Sequence, residues 1–139
     1  MKQVKQSIAI ILMLLLFCLA DSFGQFETLK TYKQEWRKKN AETGKYEVIK
    51  SDNSPYEIEF IKDKKTMLFI GNTTNRFIID KIILDKVING FDTQTYTGYW
   101  DLIGNNCSLI INTSGTLMLL GIYYEQNGKQ YSLTYFIKF

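Results

Sequence analysis

Glu57 and Glu59 stand two residues apart in a segment that alternates polar and apolar side chains. Paired carboxyl groups are the minimum apparatus for glycoside hydrolysis. At this spacing both lie on the polar side of one strand, side by side instead of facing each other across a cleft. A solvated strand face is therefore the expectation for the pair. Asp80 and Asp85 each precede a lysine and fit turn or surface ion pairs.

The chain contains no histidine. That removes Ser-His-Asp and Cys-His catalysis, histidine metal sites and the side-chain switch near neutral pH. A Gly-rich phosphate loop, a Gly-x-Ser-x-Gly elbow and calcium-loop spacing are also missing. The residues imply no cofactor and no metal, and a non-enzymatic protein is the expectation. Net charge is only +3, too mild to argue for nucleic acid, and Arg37-Lys38-Lys39 fits a solvated strand end.

The aromatic residues carry more promise. Trp36, Tyr96, Trp100, Tyr124, Tyr131 and Tyr135 are placed to line a cavity for a small apolar ligand or to offer a platform for sugar rings. Equally, a small domain without disulfides needs large side chains to bury enough area. Cys107 begins an alternating run with Leu109 and Ile111 on its face. A buried thiol behaving as a small hydrophobe is expected there.

The elements that must position these groups read as β throughout. Thr28 to Lys38, Lys45 to Lys50, Tyr56 to Lys62 and Thr66 to Ile70 are separated by turn-rich strings. Arg76 to Val87 contains an echo, Ile79-Asp80-Lys81-Ile82 and Leu84-Asp85-Lys86-Val87. Its β-branched residues favour two short strands or one bent strand over a helix. Thr95 to Leu102 puts Tyr96, Gly98, Trp100 and Leu102 on one face. The Cys107 strand follows, then a turn at Asn112 to Gly115 and a strand from Thr116 to Tyr124. Asn127-Gly128 predicts a tight type I′ hairpin, and Tyr131, Leu133, Tyr135, Ile137 and Phe139 share one face of the last strand. Both faces of 117–124 are apolar, which calls for cover on both sides. The predicted fold is all-β: a small antiparallel meander barrel of about eight strands, or a compact β-sandwich.

The first two dozen residues are read as a secretory signal peptide. Lys2 and Lys5 precede an apolar run from Ile8 to Ala20, too short to span a bilayer, and Ser22-Phe23-Gly24 suits cleavage before Gln25. Residues 1–24 are thus the leader and 25–139 one exported domain, secreted or periplasmic. Lipid attachment at Cys18 is disfavoured by the bulky Phe17 before it. The C-terminal alternation ending on Phe139 resembles the assembly signal of outer-membrane barrels, but Lys50, Lys62 and Arg76 punctuate the strands. Membrane contact is not expected once the leader is removed.

The leader ending in Ser22-Phe23-Gly24-Gln25 resembles those of exported proteins in Bacteroidota-type bacteria. The layout is similar to small, uncharacterised secreted β-proteins of such bacteria. It shares the Trp36 strand, Glu42-Thr43-Gly44-Lys45-Tyr46, Asp101-Leu102-Ile103-Gly104 before Cys107, and a tyrosine-rich final hairpin. That set implies no activity. A looser resemblance to lipocalin-type barrels rests on size, meander and Gly98-Tyr99-Trp100, although the Gly-x-Trp string of that family lies in its first strand. It implies a barrel that holds an apolar ligand. The leading expectation is accordingly a module binding such a ligand inside the barrel. The alternative is a protein-interaction module of the cell envelope with a solid core and a partner on an exposed edge or face.

Overall fold

The computed structural model describes residues 27–61 and 65–138; the expected leader with Cys18, Lys62 and Phe139 lie outside the described residues. Nine strands follow in chain order: β1 (Glu27–Lys39), β2 (Tyr46–Asp52), β3 (Glu57–Ile61), β4 (Thr66–Ile70), β5 (Thr74–Ile88), β6 (Phe91–Trp100), β7 (Asn105–Ser114), β8 (Leu117–Gln126) and β9 (Lys129–Lys138). All neighbours are antiparallel, and β1 pairs with β9 to close the sheet. The result is an eight-stranded barrel with β2 as an additional strand. Closure removes the sandwich alternative.

β1 manages both roles through its length. Its first residues, Glu27 to Lys30, pair with β3, while Gln34 to Lys39 pair with β2 on the same side. Pro55 sits in the break between β2 and β3, where a missing N–H removes nothing from the ladder. The Thr31 amide donates to the Tyr56 carbonyl at 2.9 Å across that break.

Alternation sets the core. Ile58 and Phe60 of β3, Met67 and Phe69 of β4, Leu109 and Ile111 of β7, Met118, Leu120 and Ile122 of β8, and Leu133, Tyr135 and Ile137 of β9 are all buried. Several strand limits differ from those the sequence predicts. The stretch around Asp80 is a single strand, bent by two bulges between Ile79 and Lys81 and between Ile82 and Leu84. β6 starts at Phe91 and ends at Trp100, so Leu102 lies in the following turn, 53% exposed. Trp100 is followed by a tight turn, with the Gly104 amide donating to its carbonyl at 2.8 Å, and this takes Leu102 off the expected face. β7 continues through Ser114, because the turn needs only Gly115 and Thr116. At Asn127-Gly128 both residues have positive φ, 53° and 74°, as a type I′ turn requires.

Candidate functional site

The barrel interior is the first place to look, because five of the six aromatic candidates come from β6, β8 and β9, which line it. Trp100 is 1% exposed; its indole N–H donates to Asn75 Oδ1 at 2.7 Å. The Tyr124 ring meets it edge-on, with centroids 5.4 Å apart, and stacks on Tyr131 at 5.6 Å. Tyr135 stacks on Phe69 at 4.9 Å, deep in the core. The Tyr96 hydroxyl donates to Gln94 Oε1 at 3.0 Å. Burial, with Asp85 adding its charge, pushes this phenol up to about 12. Trp36 is half-buried on β1 beneath the Lys50 ammonium, 4.9 Å from its ring centre. The fold therefore stacks Trp100, Tyr124 and Tyr131 together, places Trp36 opposite Leu133 against the same core, and engages Tyr96 and Tyr135 in other contacts.

A void wide enough for water would leave its lining accessible. Phe77, Leu109, Met118 and Ile122 are 0% exposed, and Phe69, Trp100, Ile111, Leu120, Leu133 and Ile137 are 1% exposed. At these side chains the interior is packed to the density of a protein core. A groove of about 640 Å³ runs past Lys38, Lys39, Glu47, Glu125 and Lys129, where mixed charges create no field of a single sign.

The carboxylates stay apart as the sequence implies. Glu57 is exposed and Glu59 half-buried on the outer side of β3. Sequence reasoning missed a third carboxylate. Glu35 is 7% exposed on β1, clamped by Lys33 Nζ at 2.6 Å, by Arg37 Nη2 at 2.6 Å and by Arg37 Nε at 3.0 Å. Burial works against its ionisation, but the hydrogen bonds from Lys33 and Arg37 outweigh it and hold the carboxyl below its ordinary value. The legible signal was Lys33-x-Glu35-x-Arg37, three alternate residues on one strand face. Cys107 is buried and free, and burial raises its thiol above the ordinary range.

The more informative surface is the far half of β5. β4 covers only Thr74 to Ile78, and the Ile79 amide still reaches the Lys65 carbonyl. From Asp80 to Ile88 the strand is paired with β6 alone among the described residues. Among the described residues, one edge of this arm is open. Ile82 is 50% exposed, Ile83 54% and Val87 65%, so apolar side chains flank that edge. An open edge bearing apolar side chains is a template for another strand.

A closed antiparallel barrel with a packed interior and one uncovered strand arm is what these residues define. The chain matches no protein-family model, no curated protein and no solved structure, so its function must be sought in its own geometry.

Proposed function

We propose that the chain is a non-enzymatic interaction module of the cell envelope, which adds an extended strand of a protein partner to the open edge of β5. The observation that carries this is the uncovered run from Asp80 to Ile88, with Ile82, Ile83 and Val87 exposed along it. A globular protein normally blunts or covers such an edge. Backbone hydrogen bonds would supply affinity and the flanking apolar side chains specificity.

Support also comes from the packed interior, which leaves the six aromatics engaged with one another and with the core instead of framing a chamber. The outer face carries Lys33, Arg37 and Glu59, while the buried side chains are mainly apolar, with Gln34 and Gln94 among the polar exceptions. That polarity is the reverse of a lipid-facing barrel and favours an aqueous envelope compartment.

Photo-crosslinking in the expressing bacterium tests the proposal. A photoreactive residue replacing Ile82 should link to a protein, and the same residue replacing Leu102 on a distant turn should not. The Val87→Pro variant, which removes an N–H that faces the open edge, should suppress the link. Equal crosslinking from both sites, or none from Ile82, would overturn it.

A further inference from the structure

The residues of β5 whose backbone groups face the open edge are also those whose side chains face inward. The Ile79 amide donates to Lys65 on the β4 side, so residues that share the facing of Ile79 share its edge. Ile79, Ile82, Asp85 and Val87 stand opposite Gly98, Tyr96, Gln94 and Asp92, every second residue of β6, because each bulge inserts one extra residue into β5. On the arm these are Ile82, Asp85 and Val87. Their side chains lie on the inner face of the sheet, since Tyr96 and Gln94 stand opposite the core residues Leu109 and Ile111 of β7.

A strand laid along this edge sets its inward side chains against those three. Ile82 is 50% and Val87 65% exposed, and each offers apolar contact. Asp85 between them is exposed and charged. Asp92 is its diagonal neighbour on the same face, and burial, with the charge of Asp85 added, holds the Asp92 carboxyl above its ordinary value. Asp92 Oδ2 is buried and receives no hydrogen bond. Among the described residues no lysine or arginine pairs with either carboxylate. Lys81 and Lys86 stand opposite Thr97 and Thr93, on the outer face. Two carboxylates without a cation therefore lie beside an edge without a strand.

From this complementarity we infer that the partner strand carries a basic residue opposite Asp85, with apolar residues two positions to either side of it against Ile82 and Val87. The inference rests on the interaction reading above and states the chemistry of its partner. Unlike charges directly opposite one another stabilise a strand pair, and the charge of Asp92 beyond Asp85 adds to the attraction. The same two carboxylates repel a strand that brings an acidic residue to this position, which gives the edge a means of rejecting wrong partners. An apolar, basic, apolar order at alternate positions reads the same in both chain directions.

Synthetic peptides test this chemistry. The peptide Thr-Val-Thr-Arg-Thr-Val-Thr, blocked at both ends and carrying a fluorophore, presents valine, arginine and valine at alternate positions. A twin with citrulline in place of arginine keeps the shape and loses the charge. In fluorescence anisotropy the protein purified from an expressing bacterium should bind the arginine peptide, and the citrulline peptide about tenfold more weakly, as loss of a charge-assisted pair implies. Asp85→Asn/Asp92→Asn should bind the two equally. Val87→Pro should bind neither, because the N–H it removes faces the edge. Thermal unfolding no lower than the parent's certifies the fold of both variants.

Equal affinity of the parent for the two peptides, or a preference that survives in Asp85→Asn/Asp92→Asn, would overturn the basic residue and leave the open edge as a docking site. Val87→Pro binding like the parent would place the peptides elsewhere and overturn the inference as well. So would a parent that binds neither peptide up to about 1 mM. Crosslinking from Ile82 to a protein in that case would leave the interaction reading standing, and its absence would remove both.

Discussion

The Ile79 amide donates to the Lys65 carbonyl at 2.8 Å, and this is the last bond that β5 makes on its β4 side among the described residues. β4 is five residues long and β5 fifteen. The mismatch in length leaves the arm bare. Around most of the wall, neighbours are matched within a few residues, so the uncovered edge follows from one short hairpin meeting one long strand.

Ile83→Lys isolates the role of this edge. The side chain is 54% exposed, so stability should change by no more than about 0.5 kcal/mol. Association through the arm should be lost, because the substitution puts a charge where apolar contact is needed. Thermal unfolding alongside crosslinking from Ile82 checks both halves, and a large loss of stability would show that Ile83 is structural.

Gly98 explains how β5 can bend where it does. It pairs with Ile79 beside the first bulge, and a Cβ there would collide with the Ile78 carbonyl oxygen and the Phe77 ring. The backbone of β6 has to approach β5 this closely for the bulge to form. Gly98→Ala should therefore destabilise by about 1–3 kcal/mol, as overpacking does. Gly121→Ala should cost less, since its nearest neighbour is the Tyr123 ring edge at 3.0 Å. Denaturant midpoints of the two variants rank them.

Much of the barrel was legible because strands with one buried face alternate. β3, β4 and β9 carry that pattern and were placed within a residue or two of their observed limits, as was the Asn127-Gly128 turn. The end of β6 was not legible. Leu102 continues the alternation of Trp100 in sequence, yet the Gly104 bond to the Trp100 carbonyl turns the chain away first. The arm was hidden for a related reason. Periodicity reports which faces of a strand are apolar, whereas the free edge depends on how far a distant neighbour extends. The aromatic candidates were recognisable as inward-facing, but whether they frame a space or fill it is decided by contacts such as Phe69 on Tyr135, between strands remote in sequence.

Two carboxyls should give pH effects of opposite sign. Glu35 is held below its ordinary 4.5 despite burial, by Lys33 and Arg37. Its stabilisation is complete above the unfolded value and is lost as pH falls through the lower folded value. Asp92 is displaced the other way, above 3.8, by burial and then by the charge of Asp85. Its ionisation weakens the fold as pH rises through the raised folded value. Glu35→Gln should thus lower stability near neutral pH by about 1–2 kcal/mol, through loss of charge-assisted hydrogen bonds. Asp92→Asn should raise stability there. Both differences from the parent should shrink at acid pH, as each carboxyl takes up its proton in the folded state. Urea unfolding at the two pH values checks the signs, and parallel shifts in both variants would refute the assignment.

The packed interior makes a prediction about cargo. If the ten side chains at 0–1% exposure named above fill the barrel, native mass spectrometry of the protein purified from an expressing bacterium should find polypeptide masses alone, with no lipid-like adduct. Trp100→Ala should change that result. Removing the indole leaves Asn75 without its donor at 2.7 Å and takes away the ring that Tyr124 meets edge-on. The cost should be about 3–5 kcal/mol, the range for buried aromatic truncation. The space left is walled by the Tyr124 ring and retains the Asn75 acceptor, so it suits a small aromatic molecule that carries an N–H. Indole added to the variant should recover part of the lost thermal stability, while the parent should gain none. A lipid released from the parent on denaturation would instead mean that the core opens in the cell, and would return Trp36, Tyr96, Trp100, Tyr124, Tyr131 and Tyr135 to the role of a ligand's lining.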